Sequence, residues 1–226
     1  MKIEVWSDIM CPWCYIGKRR FEAALERFDG EVEVEFRSFQ LDPHAAPRAE
    51  GPLDASLASK FGISLERAQQ MLAQTTQAAA AEGLEFDFEG ARGGNTFDAH
   101  RVLHYAKSVG LQSALKERLM KAYFSDGIQF ADPDNLVKLA VEVGLEEAEI
   151  RRVLEDDSFA EAVRTDLARA RDIGVRGVPF YLIDGEVGVT GAQPPQTFLN
   201  ALNYAQTANL SAGEACADGL CDIPDA

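Results

Sequence analysis

Four residues near the start of the chain, Cys11-Pro12-Trp13-Cys14, have the types and spacing for thiol–disulfide chemistry. Two cysteines three positions apart lie about one turn apart on a helix, so Cys14 can reach Cys11 to close or resolve a disulfide. Pro12 suits the first helical position, because its missing N–H would find no intrahelical partner there. Cys11 then becomes the N-cap. A thiol at that place faces unpaired N–H groups and the positive end of the helix dipole. Both favour thiolate, the attacking form in disulfide exchange. Neither Pro12 nor Trp13 brings a charge, so the helix terminus has to supply that stabilisation. Trp13, in the first turn, is placed to meet substrate, whereas Trp6, in the preceding strand, reads as core. Asp8 is close enough either to relay protons to or from Cys14 or to serve as a turn or surface residue.

These residues need a strand–helix junction to hold them. Ile3 and Val5 alternate with polar neighbours, as a strand does. Cys14, Phe21, Leu25 and Phe28 share one helical face and predict a helix from Trp13 to Phe28. Val32, Val34 and Phe36 predict a second half-buried strand. Phe39 and Leu41 fall on the opposite parity, which suggests a twist or bulge near Ser38. Pro43, Pro47, Gly51 and Pro52 mark an irregular connection.

From about 54 to 173 the pattern is helical almost throughout. Ser64, then Asn95 or Thr96, then Asp132-Pro133 offer helix starts. Ser158 begins a further helix that Gly174 stops. Strand character returns in Val178–Ile183, the Asp184-Gly185 turn and Val187–Val189. Pro194 and Pro195 open a last helix, and beyond Thr207 the small, polar composition reads as a mobile tail. The expected architecture is α/β: a small mixed sheet from residues 1–53 and 174–206, an all-helical insertion at 54–173, and a flexible tail at 207–226.

Composition narrows the function classes. A chain of 226 residues buries a core without needing disulfides. A hydrophobic fraction of 46% and a charged fraction of 26% are ordinary for a globular protein. No window approaches 18 uninterrupted apolar residues, so no membrane span is expected. A net charge of −15 argues against nucleic acid and anionic membranes as partners, since both require clustered Lys and Arg. The chain enters a strand directly, with no basic segment, apolar run and cleavage site ahead of it, so a cytoplasmic location is expected.

The four cysteines form two local pairs, Cys11/Cys14 and Cys216/Cys221, with none between. Local pairs in a cytosolic chain point to redox chemistry or metal binding rather than a disulfide framework. Asp218-Gly219 allows a tight turn that lets Cys216 and Cys221 bridge. The nine residues after Thr207 can span roughly 30 Å, enough to reach Cys11. The tail pair is therefore either an auxiliary dithiol that exchanges with or guards Cys11/Cys14, or an inert disulfide. A zinc site built from all four cysteines is the rival reading. Pro-Trp inside the first pair and the loop entropy of joining the chain ends count against it. His100 and His104 share a helix face, but no third ligand stands beside them. No metal is assigned.

Three stretches together resemble the thioredoxin fold of the DsbA family, and most closely its FrnE-like cytosolic branch. They are Ser7-Asp8-Ile9-Met10-Cys11-Pro12-Trp13-Cys14-Tyr15-Ile16-Gly17, Asn95-Thr96-Phe97-Asp98-Ala99-His100-Arg101, and Gly174-Val175-Arg176-Gly177-Val178-Pro179-Phe180-Tyr181, with Gly191-Ala192-Gln193 following. The resemblance covers residues 1 to about 206. It implies a thioredoxin fold with a large helical insertion, acting as a thiol–disulfide oxidoreductase or isomerase on proteins with thiols or disulfides. Cys11 would attack and Cys14 resolve, with no cofactor beyond the redox-active disulfide. It further implies a cis Val178–Pro179 bond beside the dithiol. Val178 and Pro179 would form part of the peptide-binding surface with Pro12 and Trp13, and His100 and Arg101 would face the cleft. Kappa-class glutathione transferases and hydroxychromene-carboxylate isomerases share the scaffold and give the alternative, with glutathione as co-substrate. They carry serine in place of Cys11 and lack the second cysteine, so exchange chemistry leads.

Overall fold

β1 (Lys2–Ser7) is the strand on which the site is hung. In the computed structural model, which describes residues 1–49 and 51–217 with side chains to residue 208, it is an inner strand of a four-stranded sheet. The partners are β2 (Glu33–Ser38), β3 (Phe180–Ile183) and β4 (Val187–Thr190), in the order β2-β1-β3-β4. β1 and β2 run parallel; β1/β3 and β3/β4 run antiparallel. A parallel pair needs a crossover, which α1 (Pro12–Leu25) supplies. The antiparallel arm is the expected hairpin, closed through Asp184 and Gly185 at positive φ.

Strand alternation sorts the two faces. Ile3 and Val5 of β1 and Tyr181 and Ile183 of β3 pack with Phe21 and Ala24 of α1. Phe198 and Leu202 of α9 (Pro195–Ala217) complete that layer. On the other face Trp6 and Leu182 meet Ala170 of α8 (Ala160–Asp172), and the buried Trp6 Nε1 donates to the Asp166 carbonyl at 3.1 Å. α8 belongs to the helical stretch of the sequence, yet it lies on the sheet.

The helical block consists of α2 (Leu53–Phe61), α3 (Leu65–Ala80), α4 (Phe97–Ser108), α5 (Gln112–Phe124), α6 (Pro133–Glu142) and α7 (Glu147–Glu155). Ser64 Oγ accepts from Arg67 N, and Asp132 Oδ1 from Asp134 N and Asn135 N, so both expected caps form. At α4, Thr96 holds the N-cap place, but it is Asn95 Oδ1 that accepts from Phe97 N at 2.9 Å. Leu103, Leu115, Leu119, Tyr123, Leu136 and Ile150 form the core of the block, and Cys11, Cys14, Tyr15 and Ile16 border it. The dithiol thus sits at the seam between sheet and helical block.

Four boundaries differ from the sequence pattern. α1 stops at Leu25, three residues short of Phe28. β2 ends at Ser38, so the parity change at Phe39 marks the end of the strand rather than a bulge. Phe159, at φ 62°, precedes α8 in place of Ser158, with its ring against Tyr105 at 6.1 Å. α9 continues past Thr207 to Ala217, through a stretch whose Ala, Leu and Glu are good helix formers. The Cys216 side chain and Cys221 lie outside the described residues. Among those described, no helix is long and apolar enough to cross a membrane.

Candidate active site

β1 ends at Ser7, and a tight turn closed by Cys11 N donating to the Asp8 carbonyl at 3.2 Å leads into α1. Cys11 is the N-cap with extended backbone, and Pro12 is the first helical residue. Cys14 N donates to the Cys11 carbonyl at 3.0 Å, so the two cysteines frame the first turn. Both are free thiols, 4% and 2% exposed, while Trp13 between them is 45% exposed. The first turn therefore presents an indole to solvent and keeps the sulfurs just beneath it.

The segment before β3 closes over Cys11. The Val178–Pro179 peptide bond is cis, as the resemblance implied. The Cys11 thiol donates to the Val178 carbonyl at 3.5 Å. Gly17, one turn after Cys14, allows this approach: a Cβ there would lie 2.9 Å from Tyr181 Oη and 3.0 Å from Pro179 Cγ. Arg20 adds a clamp, donating to the Ala192 carbonyl at 2.7 Å and to Glu82 at 2.6 Å.

α1 is also tied to α5. Tyr15 Oη and Lys18 Nζ donate to Glu117 at 2.6 and 2.8 Å, and Arg19 completes the cluster. Burial pushes the Glu117 carboxyl up. Hydrogen bonds from Arg19, Lys18 and Tyr15 outweigh this and hold it at about 2. The Cys14 thiol is pushed well up, first by burial and then by the neighbouring Cys11, with Lys116 and the Asp8 backbone acting weakly against. Cys14 therefore holds its proton at neutral pH.

Asp8 is neither a surface nor a simple turn residue. It is 1% exposed, and its Oδ2 accepts from Leu41 N at 2.8 Å. Its Oδ1 lies 3.4 Å from His100 Nε2, and among the described residues neither of these atoms nor Ser7 Oγ has a hydrogen-bond partner. His100 thus reaches the buried side of the site rather than an open cleft. Arg101 is not brought to the cleft. Its guanidinium donates to Asp98 and to the carbonyls of Val153, Asp156 and Ser158, closing the C-terminal end of α7. His104 turns elsewhere again, to Asp166 at 3.0 Å and Ser38 at 3.1 Å. Two histidines on one helix face thus serve different carboxylates. Among the described residues no three His, Cys, Asp or Glu side chains are grouped to hold a metal.

Lys116 is the group near the dithiol that the sequence did not single out. It is 1% exposed, with its ammonium 5.0 Å from the centre of the Phe36 ring. Burial drives its pKa down to about 8, while Cys14, Asp8 and Cys11 draw it up and Lys18 pushes it down. A signal existed in the spacing: Lys116, Met120 and Tyr123 stand four and three apart, one buried stripe of α5. A cavity of about 510 Å³ opens away from the sulfurs, among Gln40, Pro47, Asn95, Phe97, Phe130 and Leu136. Its amides are already engaged, Gln40 with Asn95 and Asn95 with the carbonyls of Pro43 and Ala45.

Comparison with known proteins bears on the family and the fold. The DSBA-like thioredoxin domain model matches residues 2–203. The Bacillus subtilis protein YwbO is 31% identical over 206 residues, spanning 90% of this chain and 96% of its own length. The crystal structure of probable DsbA oxidoreductase SCO1869 from Streptomyces coelicolor superposes with a TM-score of 0.88 at 44% identity, covering 92% of this chain and 90% of that one. The cytosolic disulfide reductase DsbM from Pseudomonas aeruginosa shares the fold, with a TM-score of 0.61 at 17% identity over 95% of this chain and all of its own. The chain belongs to the family of DSBA-like thioredoxin domains.

Proposed function

We propose that this protein is a thiol–disulfide oxidoreductase of protein substrates, with Cys11 as the attacking and Cys14 as the resolving cysteine. The observation that carries the reading is the placement of Cys11. It caps α1 at the seam of the two halves, with its sulfur 3.5 Å from the Val178 carbonyl and Cys14 one turn behind. Cys11 thiolate attacks a substrate disulfide, the leaving thiol takes up a proton, and a mixed disulfide forms. Cys14 then attacks Cys11 and releases the second substrate thiol. Run backwards, the same steps oxidise a dithiol, and the ambient potential sets the direction. An extended substrate segment laid beside Val178 and Pro179 finds backbone groups next to the reactive sulfur, and Pro12 and the exposed Trp13 supply apolar contact.

Two local cysteine pairs with none between suit a reducing compartment such as the cytoplasm. Cys216 and Cys221 act in this reading as an auxiliary dithiol that passes electrons to or from Cys11/Cys14. The test is a trap. Cys14→Ser protein incubated with a disulfide-containing peptide should hold it at Cys11, seen as an adduct by non-reducing mass spectrometry. The Cys11→Ser protein should hold none on Cys14. An adduct on Cys14 in the Cys11→Ser protein, or none in either, would overturn the assignment.

A further inference from the structure

We propose that His100 is a positioning residue for Cys11: its Nε2 holds the Asp8 carboxylate, and Asp8 holds the turn that sets Cys11 at the N-terminus of α1. The proposal deepens the exchange reading above and assigns a role to a side chain outside the Cys-x-x-Cys turn. Its starting point is an imidazole and a carboxylate buried face to face. Asp8 and His100 are each 1% exposed. Asp8 Oδ1 and His100 Nε2 lie 3.4 Å apart, and among the described residues neither atom has a hydrogen-bond partner. That separation is long for a hydrogen bond and within the reach of an ion pair. Polar atoms left unsatisfied at such depth are costly unless they serve each other. With Asp8 ionised, Oδ1 offers only lone pairs, so Nε2 has to carry a hydrogen.

Asp8 is placed to hand this hold on to Cys11. It stands in the short turn between β1 and α1, and its carbonyl accepts from Cys11 N at 3.2 Å. Its Oδ2 accepts from Leu41 N at 2.8 Å, just beyond the end of β2. One residue thus joins the Cys11 backbone, the exit from β2 and α4. The other titratable groups that sense its charge, Lys116 and Tyr123, stand on α5. The support behind His100 is fixed on both sides. Arg101 closes the end of α7, and His104 Nε2 lies 3.0 Å from Asp166 and 3.1 Å from Ser38 Oγ. His100 N donates to the Thr96 carbonyl at 2.9 Å, so the ring leaves the first turn of an anchored helix.

The consequence falls on the thiolate. Pro12 and Trp13 bring no charge, so Cys11 depends on the unpaired N–H groups at the start of α1. A shift of the turn takes the sulfur out of line with them. Asp8 is also the charged residue nearest to Cys11 in the sequence, and its charge opposes a thiolate. A hydrogen on His100 Nε2 offsets that charge. Both effects run the same way, and loss of His100 leaves less of Cys11 ionised.

A double-mutant cycle tests this, read as ultraviolet absorbance of the thiolate in the reduced protein. Each variant is measured against the same variant with Cys11→Ser, so that only the Cys11 thiolate is counted. His100→Leu should lower the thiolate fraction at neutral pH by roughly 2- to 5-fold, the scale of a helix-terminus interaction. His100→Gln, which keeps an N–H donor at the place of Nε2, should restore most of it. Asp8→Asn keeps an oxygen for Leu41 N and loses the charge, and in that background His100→Leu should add nothing. A purely structural histidine would give neither the rescue nor the coupling. Should His100→Leu fail to fold, the ring-nitrogen resonances of His100 in the unmutated protein decide: Nε2 must carry a hydrogen at neutral pH, and its resonance must move in Asp8→Asn. An unchanged thiolate fraction in His100→Leu, no rescue by His100→Gln, an undiminished effect in the Asp8→Asn background, or a bare Nε2 would overturn the proposal. The titration needs no substrate, so its failure is distinct from failure to trap a peptide at Cys11, which would overturn the exchange reading instead.

Discussion

Replacing Gly17 by alanine sets helix propensity against packing at the point where α1 meets the segment that covers Cys11. In an unobstructed helix the change is worth about 1 kcal/mol of added stability. Here the new Cβ would fall 2.9 Å from Tyr181 Oη, 3.0 Å from Pro179 Cγ and 3.4 Å from the Ala192 Cα. Carbon contacts are comfortable at about 3.5–4.0 Å, so two neighbours must retreat by roughly half an ångström. Neither is a loose side-chain end. Tyr181 is 1% exposed and wedged between Phe21 at 5.0 Å and Phe198 at 4.6 Å. Pro179 adjoins Val178, whose carbonyl holds the Cys11 thiol at 3.5 Å. Overpacking of this kind costs about 1–3 kcal/mol, which outweighs the propensity gain and leaves a net loss of about 1 kcal/mol. For a chain of this size the melting temperature should fall by about 2–4 °C. The Val178 carbonyl should also shift relative to the sulfur, so turnover should fall several-fold while Cys11 remains reactive to a small alkylating agent. Urea midpoints and insulin-reduction rates of the two proteins measure both effects. An alanine variant more stable by the full propensity gain, with unchanged turnover, would refute the packing argument.

Other perturbations probe the rest of the site and its support. Trp13→Ala removes a side chain 45% exposed in the first turn, so stability should stay within about 0.5 kcal/mol while activity on peptide substrates drops. Fluorescence melting beside peptide reduction separates these effects, and equal loss of both would place Trp13 in the core instead. Asp166→Ala leaves Ser38 N, Arg37 and His104 without the buried carboxylate at 2.8–3.0 Å, and chemical denaturation should register a loss of about 3–5 kcal/mol. Phe198→Ala, emptying a fully buried position between α1 and the sheet, should cost about 3–5 kcal/mol by the same measurement. Glu117, held at about 2 against its ordinary 4.5, favours the folded state fully above pH 4.5 and loses that contribution as pH falls toward 2. Urea midpoints followed from pH 6 to pH 2.5 should therefore fall less steeply in Glu117→Gln than in the wild type, and parallel curves would show that the Glu117 cluster gives no acid dependence.

What the sequence made legible was local. The strand into Cys11, the cap and proline that start α1, the caps at Ser64 and Asp132 and the hairpin at Asp184-Gly185 each follow from a few adjacent residues. The cis bond at Val178–Pro179 is legible from resemblance alone, since local rules favour trans at such a site. What stayed hidden depends on packing between distant segments. Lys116 stands in line with Met120 and Tyr123, yet its own charge masks that stripe until α5 is laid against Phe36. Arg101 sits in a motif beside His100, but one position around the helix its side chain points at the end of α7 rather than the site. Asp8 reads as a turn or surface residue because its burial is imposed by Leu41 and His100, both far along the chain. α8 reads as one more helix of the block, and only the contact of Ala170 with Trp6 assigns it to the sheet.

The measurement that bears most directly on the function is reduction of insulin by dithiothreitol, with the wild type run beside Cys11→Ser. Exchange through Cys11 predicts that the wild type hastens the onset of insulin B-chain precipitation and that the variant matches the uncatalysed control. A fully reduced wild type that gives no acceleration, or a Cys11→Ser protein that accelerates as well as the wild type, would contradict it.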